Sequence, residues 1–403
     1  MAEIIPFRGL RYTESAGASA ALIAPPYDVI SPDERERLHA QSPQNVVRVE
    51  SGRDEPGDDA MRNRYARAQA ALVAWTAEGL LARDPAPAFY LYDHHFTVDG
   101  IPGTRRGLLG ALRIYGEGSL EVLPHERTIP KDRADRMSLL RATRTNVSPI
   151  FGMVDDTAGR LAAALAAGMA AGRPIADVTL GTERHVLWRI AGGRAAEIAA
   201  LLAPKRVYLA DGHHRYETAR AYLEEERAAG RSRAMDDAAA FVLAFICALE
   251  DPGLRIFPTH RIVVGGGAAL DAAIGASFDA TPITREHARA EGIVIVRDGA
   301  FTGLKPRASL DRAGMPPIWR GIPIAEAETF LLPAAIAAGG VVRYEHDDAV
   351  AITAARGDTR SVLLAAVAAK DLQRVADAGE RLPQKSTYFY PKVPTGLVLR
   401  PLD

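Results

Sequence analysis

The stretch VYLADGHHRYETARAYLEEE, Val207 to Glu226, allows few folds. A short apolar run breaks at Asp-Gly and gives way at once to a helical pattern. This is a strand, a tight turn and a helix, with two histidines and an arginine at the helix mouth. A helix start exposes unpaired N–H groups and the positive end of the dipole, so an anion placed there meets backbone amides as well as side chains. Gly212 lets the backbone approach that anion closely. Arg215 offers a planar fork suited to phosphate oxygens. His213 and His214 can donate hydrogen bonds or carry protons near neutral pH. Asp211 can cap the helix or, with phosphate present, hold a divalent cation. The alternative is an Asp211 N-cap followed by a solvated first turn.

Other segments frame this one. Residues 1–50 read as strand and loop, with Ile4–Pro6 and Asn45–Glu50 as short β-rich runs. Ser31 before Pro32 marks a helix start, with Glu34 three residues after the cap. A helix is predicted over Ala60–Glu78, where Tyr65, Ala68, Leu72 and Trp75 recur at helical spacing. Asp99-Gly100 marks a hairpin. His94 and His95 on its first arm point to opposite faces, one packed and one solvated. Further buried strands are predicted at Ile150–Val154 and Phe241–Leu249. The 403-residue length suits two or three domains. Composition shifts at Gly265–Gly267, which suggests a main domain over 1–264, a smaller α/β domain or insertion over 265–345, and a C-terminal segment, 346–403, that packs back on the main domain.

HERTIPKDRADR, His125 to Arg136, is the second candidate segment. A carboxylate beside a histidine suits general base work, so Glu126 and His125 join His213 as candidate catalytic residues. Lys131 and Arg133 suit anion binding; the alternative is a charged helix face with Asp132 and Arg136 as an i,i+4 pair. In TRTNVSP, Asn146 and Ser148 are placed to position a ligand, or simply to form the turn. PYDVIS sets Tyr27 and Asp28 on a rigid loop. KSTYFYPK lacks the glycines of a phosphate loop. No Gly-x-Gly-x-x-Gly follows a strand, and there is no Gly-x-Ser-x-Gly elbow or cysteine pair, which disfavours dinucleotide binding, serine hydrolysis and zinc ribbons. A formal net charge of −1 gives no field toward nucleic acid or membrane. The lone Cys247 lies in an apolar run and reads as a small hydrophobe. The N-terminus lacks a signal-peptide pattern, and no apolar stretch reaches spanning length, so the cytoplasm is the expected compartment.

PYDVIS, PHERT with KDR, TNVSPIF, LADGHHRYETA, PTHR and KSTYFYPKVPTGL occur in that order between about Pro6 and Leu399. Together they resemble a prokaryotic family known as domain of unknown function ten-fifteen. The DGHHR helix start further resembles the phosphate-binding turn of the ParB/sulfiredoxin-like fold, which includes free-serine kinases. Only Asp211 to Arg215 match that turn. The resemblance implies a mixed α/β (α+β) fold with a ParB/sulfiredoxin-like core and a mixed sheet. It also implies nucleotide phosphates as ligands. The expectation is a phosphotransferase acting on a small hydroxy metabolite, with serine or phosphoserine first. Gly212, His214, Arg215, Lys131, Arg133, Asn146 and Ser148 would bind substrate or phosphate. Asp211 would hold Mg2+, and ATP, ADP or another phosphoryl donor or acceptor would serve. A phosphatase using the same groups and a nucleotide-gated binding protein remain as alternatives. A small-molecule substrate and a nucleotide are the expected partners, with neither membrane nor nucleic acid, and a homodimer is left open.

Overall fold

The computed structural model describes residues 1–17, 19–126, 133–232 and 237–403. The chain divides into two compact units. The first contains 1–123, 129–254 and 391–403, and the second contains 124–128 and 255–390. Of the segment 346–403, only 391–403 falls in the first unit, and the boundary nearest the composition shift lies at 254/255, where that shift suggests 264/265. Strand pairing explains the difference, because the glycine cluster falls after a strand that is already part of the second unit's sheet.

Along the first unit run β1 (Ile4–Ile5), β2 (Leu10–Tyr12), α1 (Pro32–Gln41), α2 (Val47–Glu50), α3 (Arg64–Ala77) and β3 (Leu81–Arg83). Then come β4 (Phe89–Val98), β5 (Ile101–Arg113), β6 (Val122–Pro124), α4 (Arg133–Thr143), β7 (Thr145–Asn146) and β8 (Ile150–Val154). They are followed by α5 (Arg160–Ala170), β9 (Ala176–Leu180), β10 (Glu183–Ile190), α6 (Gly193–Leu202), β11 (Val207–Asp211), α7 (His213–Ala228) and β12 (Phe241–Ala248). Among the described residues the main sheet has the order β6-β11-β8-β12-β5-β4-β10-β9, with β1 against β5. It is mixed: β8 and β12 run parallel, and β11 lies antiparallel to β8. β8 and β12 are buried at every residue, which explains their continuous apolar sequences.

Several elements follow directly from local chemistry. Ser31 Oγ accepts from the Glu34 amide and caps α1 at Pro32, as its sequence predicts. The helix predicted from Ala60 begins at Arg64, because the Asn63 side chain caps it by accepting from the amides of Tyr65 and Ala66. Asn45–Glu50 departs from expectation. Its β-branched residues predict a strand, yet Val47–Glu50 is a helical turn. The Asn45 side chain donates to the carbonyls of Ala21 and Ile23 and accepts from the Val47 amide. Val46, Val47 and Val49 join a core with Leu38, Leu72, Trp75 and Leu139. Tertiary burial here overrides β propensity.

The second unit contains β13 (Arg255–Phe257), β14 (His260–Val264), β15 (Phe278–Ile283), β16 (Ile293–Arg297), β17 (Ala300–Pro306), β18 (Val341–Glu345), β19 (Arg360–Leu364) and β20 (Tyr388–Tyr390). Its six-stranded sheet has the order β15-β17-β16-β19-β14-β18 and is antiparallel throughout. Ile262, Val294, Val296 and Phe301 lie in its core. A separate β13–β20 pair carries Tyr390. No helix among the described residues is long and apolar enough to cross a membrane.

The turn from β11 to α7 needs its glycine for two reasons. Gly212 has φ +82°, and a Cβ there would stand 3.1 Å from the Ile150 Cα, a backbone atom that cannot swing aside. Gly212→Ala is expected to lower stability by about 2 kcal/mol, read from the denaturant midpoint. An unchanged midpoint would contradict this account of the turn.

Candidate functional site

The end of β11 and the start of α7 place Asp211 and Arg215 one helical turn apart. Arg215 Nη2 donates to Asp211 Oδ2 at 2.7 Å, and Arg215 Nη1 donates to the Pro149 carbonyl at the head of β8. Lys392, from the C-terminal stretch 391–403 of the first unit, reaches the other oxygen, Asp211 Oδ1, at 2.7 Å. Burial pushes the Asp211 carboxyl up, but Lys392 and Arg215 outweigh it and hold the group well below the usual carboxylate range. Asp211 is therefore not the side-chain cap of α7, whose N-cap is Gly212. It locks the Arg215 fork instead. With both of its oxygens against cations, Asp211 is poorly suited to hold Mg2+.

Next to this lock lies an acid that sequence reasoning passed over. Glu50, the last residue of α2, is 1% exposed. Its Oε1 accepts from Ser148 Oγ at 2.9 Å and from the Tyr27 amide at 3.3 Å. Arg136 Nη1 stands 3.7 Å from the same oxygen, and Arg136 Nη2 donates to the Glu50 carbonyl at 3.1 Å. The second carboxylate oxygen, Oε2, has no hydrogen-bond partner among the described residues. Burial raises the Glu50 carboxyl above its ordinary value, and Arg136, Arg215, Ser148 and the Tyr27 amide offset this only in part. A buried carboxyl raised by desolvation beside specific charged partners marks a candidate functional site.

Two cavities meet at this residue. One, of about 160 Å³, is lined by Tyr27, Glu50, Gly52, Arg64, Asp135 and Arg136. The other, of about 50 Å³, is lined by Glu50, Arg136, Ser148, Arg215, Thr218 and Val242, among others. Glu50 and Arg136 belong to both walls. Arg215 Nε and Thr218 Oγ1 are buried without hydrogen-bond partners among the described residues. Each such orphan costs about 1–3 kcal/mol until a ligand or water satisfies it. The Tyr27 ring lies under the Arg136 guanidinium, with Cζ 4.0 Å from the ring centroid. Burial pushes the Tyr27 phenol up to about 12, so it stays protonated at neutral pH.

Of the sequence candidates, the structure brings Arg215 and Ser148 onto one cavity wall with Glu50, and Asp211 joins them only through its bond to Arg215. His213 is buried on the first turn of α7 and His214 is half-buried there. Asn146 lines the smaller cavity and accepts from the Leu243 amide and from Arg400. His125 and Glu126 belong to the second unit. There His125 Nε2 lies 2.9 Å from Thr387 Oγ1, and Glu126 accepts from the Ser386 amide at 3.3 Å. The two motifs PHERT and KSTYFY thus meet each other. Lys131 lies outside the described residues. Arg133 opens α4, and its side chain lies outside them too. Glu50, Arg136 and Lys392 are the additions. Arg136 and Lys392 sat inside segments already singled out, whereas Glu50 carried no local motif.

Lys392→Met leaves the Asp211 carboxylate without one of its two cations. Stability at pH 7 is expected to fall by roughly 1.5–3 kcal/mol. Because the folded-state value of Asp211 is depressed, its contribution is fully present above the ordinary carboxylate value and fades as pH falls through the folded one. The deficit should therefore shrink in strong acid. Wild-type stability at pH 7 in this variant would contradict the lock.

The model of the family described as "Protein of unknown function (DUF1015)" matches residues 4–325. No curated protein matches the chain. Among solved structures, the chain is similar to SbnI with a C-terminal truncation from Staphylococcus aureus, at 13% identity over 73% of this chain and 87% of that one, with a TM-score of 0.41. It is similar to a free serine kinase in complex with AMP at 10% identity, covering 69% and 89% of the two chains, with a TM-score of 0.35. A conserved hypothetical protein from Pyrococcus furiosus matches at 11% identity over 70% and 92%, with a TM-score of 0.34.

Proposed function

This chain belongs to the DUF1015 family of proteins of unknown function, and from that starting point we propose that it is a phosphotransferase acting on a small hydroxyl-bearing metabolite. The observation that carries the proposal is Glu50: a buried carboxylate with one unpartnered oxygen, on a wall shared by two cavities and faced by Arg136 and Arg215.

The chemistry follows from those groups. The hydroxyl substrate occupies the larger cavity and gives its proton to Glu50 Oε2 as its oxygen attacks phosphorus. The bond from phosphorus to the leaving oxygen of the donor breaks at the same centre. Arg215 and the amides at the start of α7 hold the phosphoryl oxygens, and Arg136 offsets the charge that builds up. Arg215 is fixed beforehand by Asp211 and the Pro149 carbonyl, so little reorganisation is needed. Glu50 takes the role of base that Glu126 holds in the sequence reading. Serine with ATP, or phosphoserine with ADP, are the first substrate pairs to try.

Phosphorus-31 NMR tests this directly. Turnover of one of these pairs is expected, and Glu50→Gln should slow it by about 10²–10⁴-fold. A base must be deprotonated to act, and the Glu50 value is raised. Wild-type activity should therefore fall with acidification at a higher pH than an ordinary glutamate would give, and Glu50→Gln should lose that limb. Release of free phosphate without a nucleotide would point instead to a phosphatase. No turnover of any pair, or full activity in Glu50→Gln, would remove the proposal.

A further inference from the structure

A second cluster of chemically capable side chains lies on the β4–β10 strand pair and takes no part in the site above. His185 on β10 sits directly opposite His94 on β4, and Glu183 is two residues before His185, so all three side chains share one face. Each offers a ligand atom, and these atoms lie within 4.8 Å of one another. His94 and His185 are 0% and 1% exposed. The Glu183 side chain keeps 23% of its surface, so the cluster is reached from its side.

The hydrogen bonds orient the rings. His185 Nδ1 lies 2.7 Å from Tyr92 Oη. With that nitrogen donating to the phenol oxygen, the lone pair is left on Nε2, which is buried with no hydrogen-bond partner among the described residues. Ligating histidines are commonly held through their other nitrogen in this manner. His94 Nε2 already lies 2.7 Å from Glu183 Oε2.

We propose that His94, His185 and Glu183 form a binding site for a divalent transition metal of the zinc class. Two imidazoles and one carboxylate suit zinc, cobalt or nickel far better than magnesium, which prefers oxygen ligands. Metal–ligand bonds of about 2.0–2.2 Å set tetrahedral donors roughly 3.4 Å apart. The His94–Glu183 contact would open slightly and the third donor would close in, movements within reach of the partly exposed Glu183 side chain. One group opposes the ion. The Arg105 guanidinium stands 3.4 Å from His94 Nδ1. It also lies over the rings of Phe151 and Phe245, at 4.9 and 5.2 Å, and keeps those contacts if the long one to His94 is given up. Its charge weakens metal binding, so affinity in the micromolar range is expected rather than the tighter binding of a closed structural site.

The test is zinc titration of the full-length, chelator-treated protein against a chromophoric competitor, with Co2+ absorption as a report on geometry. The wild type should take up one zinc and show a tetrahedral cobalt spectrum. His185→Ala and the isosteric Glu183→Gln should each weaken zinc binding at least tenfold, and Arg105→Met should strengthen it. Glu183→Gln keeps the test decisive if His185→Ala fails to fold. Failure of the wild type to bind one zinc at micromolar concentrations, or unchanged binding in a folded Glu183→Gln, would overturn the proposal.

Discussion

The candidate site depends on a buried carboxylate, Glu50, that two guanidinium groups face and neither fully neutralises. Moving an ionised glutamate out of water costs several kcal/mol unless charge and hydrogen bonds compensate. At Glu50 the compensation is one-sided. Ser148 and the Tyr27 amide serve Oε1, and Oε2 is left without a partner among the described residues. The arginines are themselves committed elsewhere. Arg136 pairs with Asp135 at 2.5 Å, and Arg215 is held by Asp211 and the Pro149 carbonyl. A fold built only for stability would fill such a place with apolar side chains of similar volume. The retention of charge beside two cavities is what makes a chemical role for Glu50 the economical explanation.

The parts of this arrangement come from distant stretches of sequence. Tyr27 follows a double proline, Glu50 ends a helical turn, Arg136 lies on α4, Ser148 precedes β8, Arg215 lies on α7, and Lys392 lies near the chain end. β8 and β11 are the common frame. Their antiparallel pairing sets Asp211 against Phe151, so the loop ahead of β8 and the turn after β11 are neighbours. This is why the Pro149 carbonyl is available to Arg215, and why a side chain at position 212 would collide with Ile150.

The strand–turn–helix at Val207–Ala228 was legible because three local signals agree there: an apolar run, a glycine at the break, and a helical period beyond it. The same agreement made Ser31 and the β4–β5 hairpin readable, and the strand alternation that separates His94 from His95 holds. Glu50 was not legible. Its β-branched neighbours argue for a strand, and the helical turn that aims it inward depends on Asn45 gripping a segment more than 20 residues away. No local period carries that information. Asp211 was visible as a candidate, but its pairing with Lys392 was not, because the two are 181 residues apart. Long-range ion pairs leave no spacing signal, so the charge balance that separates a cation-holding aspartate from an arginine lock becomes readable only in the folded chain. The second unit's extent was hidden for a similar reason. The pairing of β13 with β20 joins residues that the composition shift near Gly265 had divided.

The most direct test of the Glu50–Arg136–Arg215 centre is to locate a heavy phosphate mimic. Crystals of the full chain soaked in tungstate should show an anomalous peak within hydrogen-bonding reach of Arg215 and the first turn of α7. Peaks confined to other surfaces, with none beside Arg215 at saturating tungstate, would contradict the account.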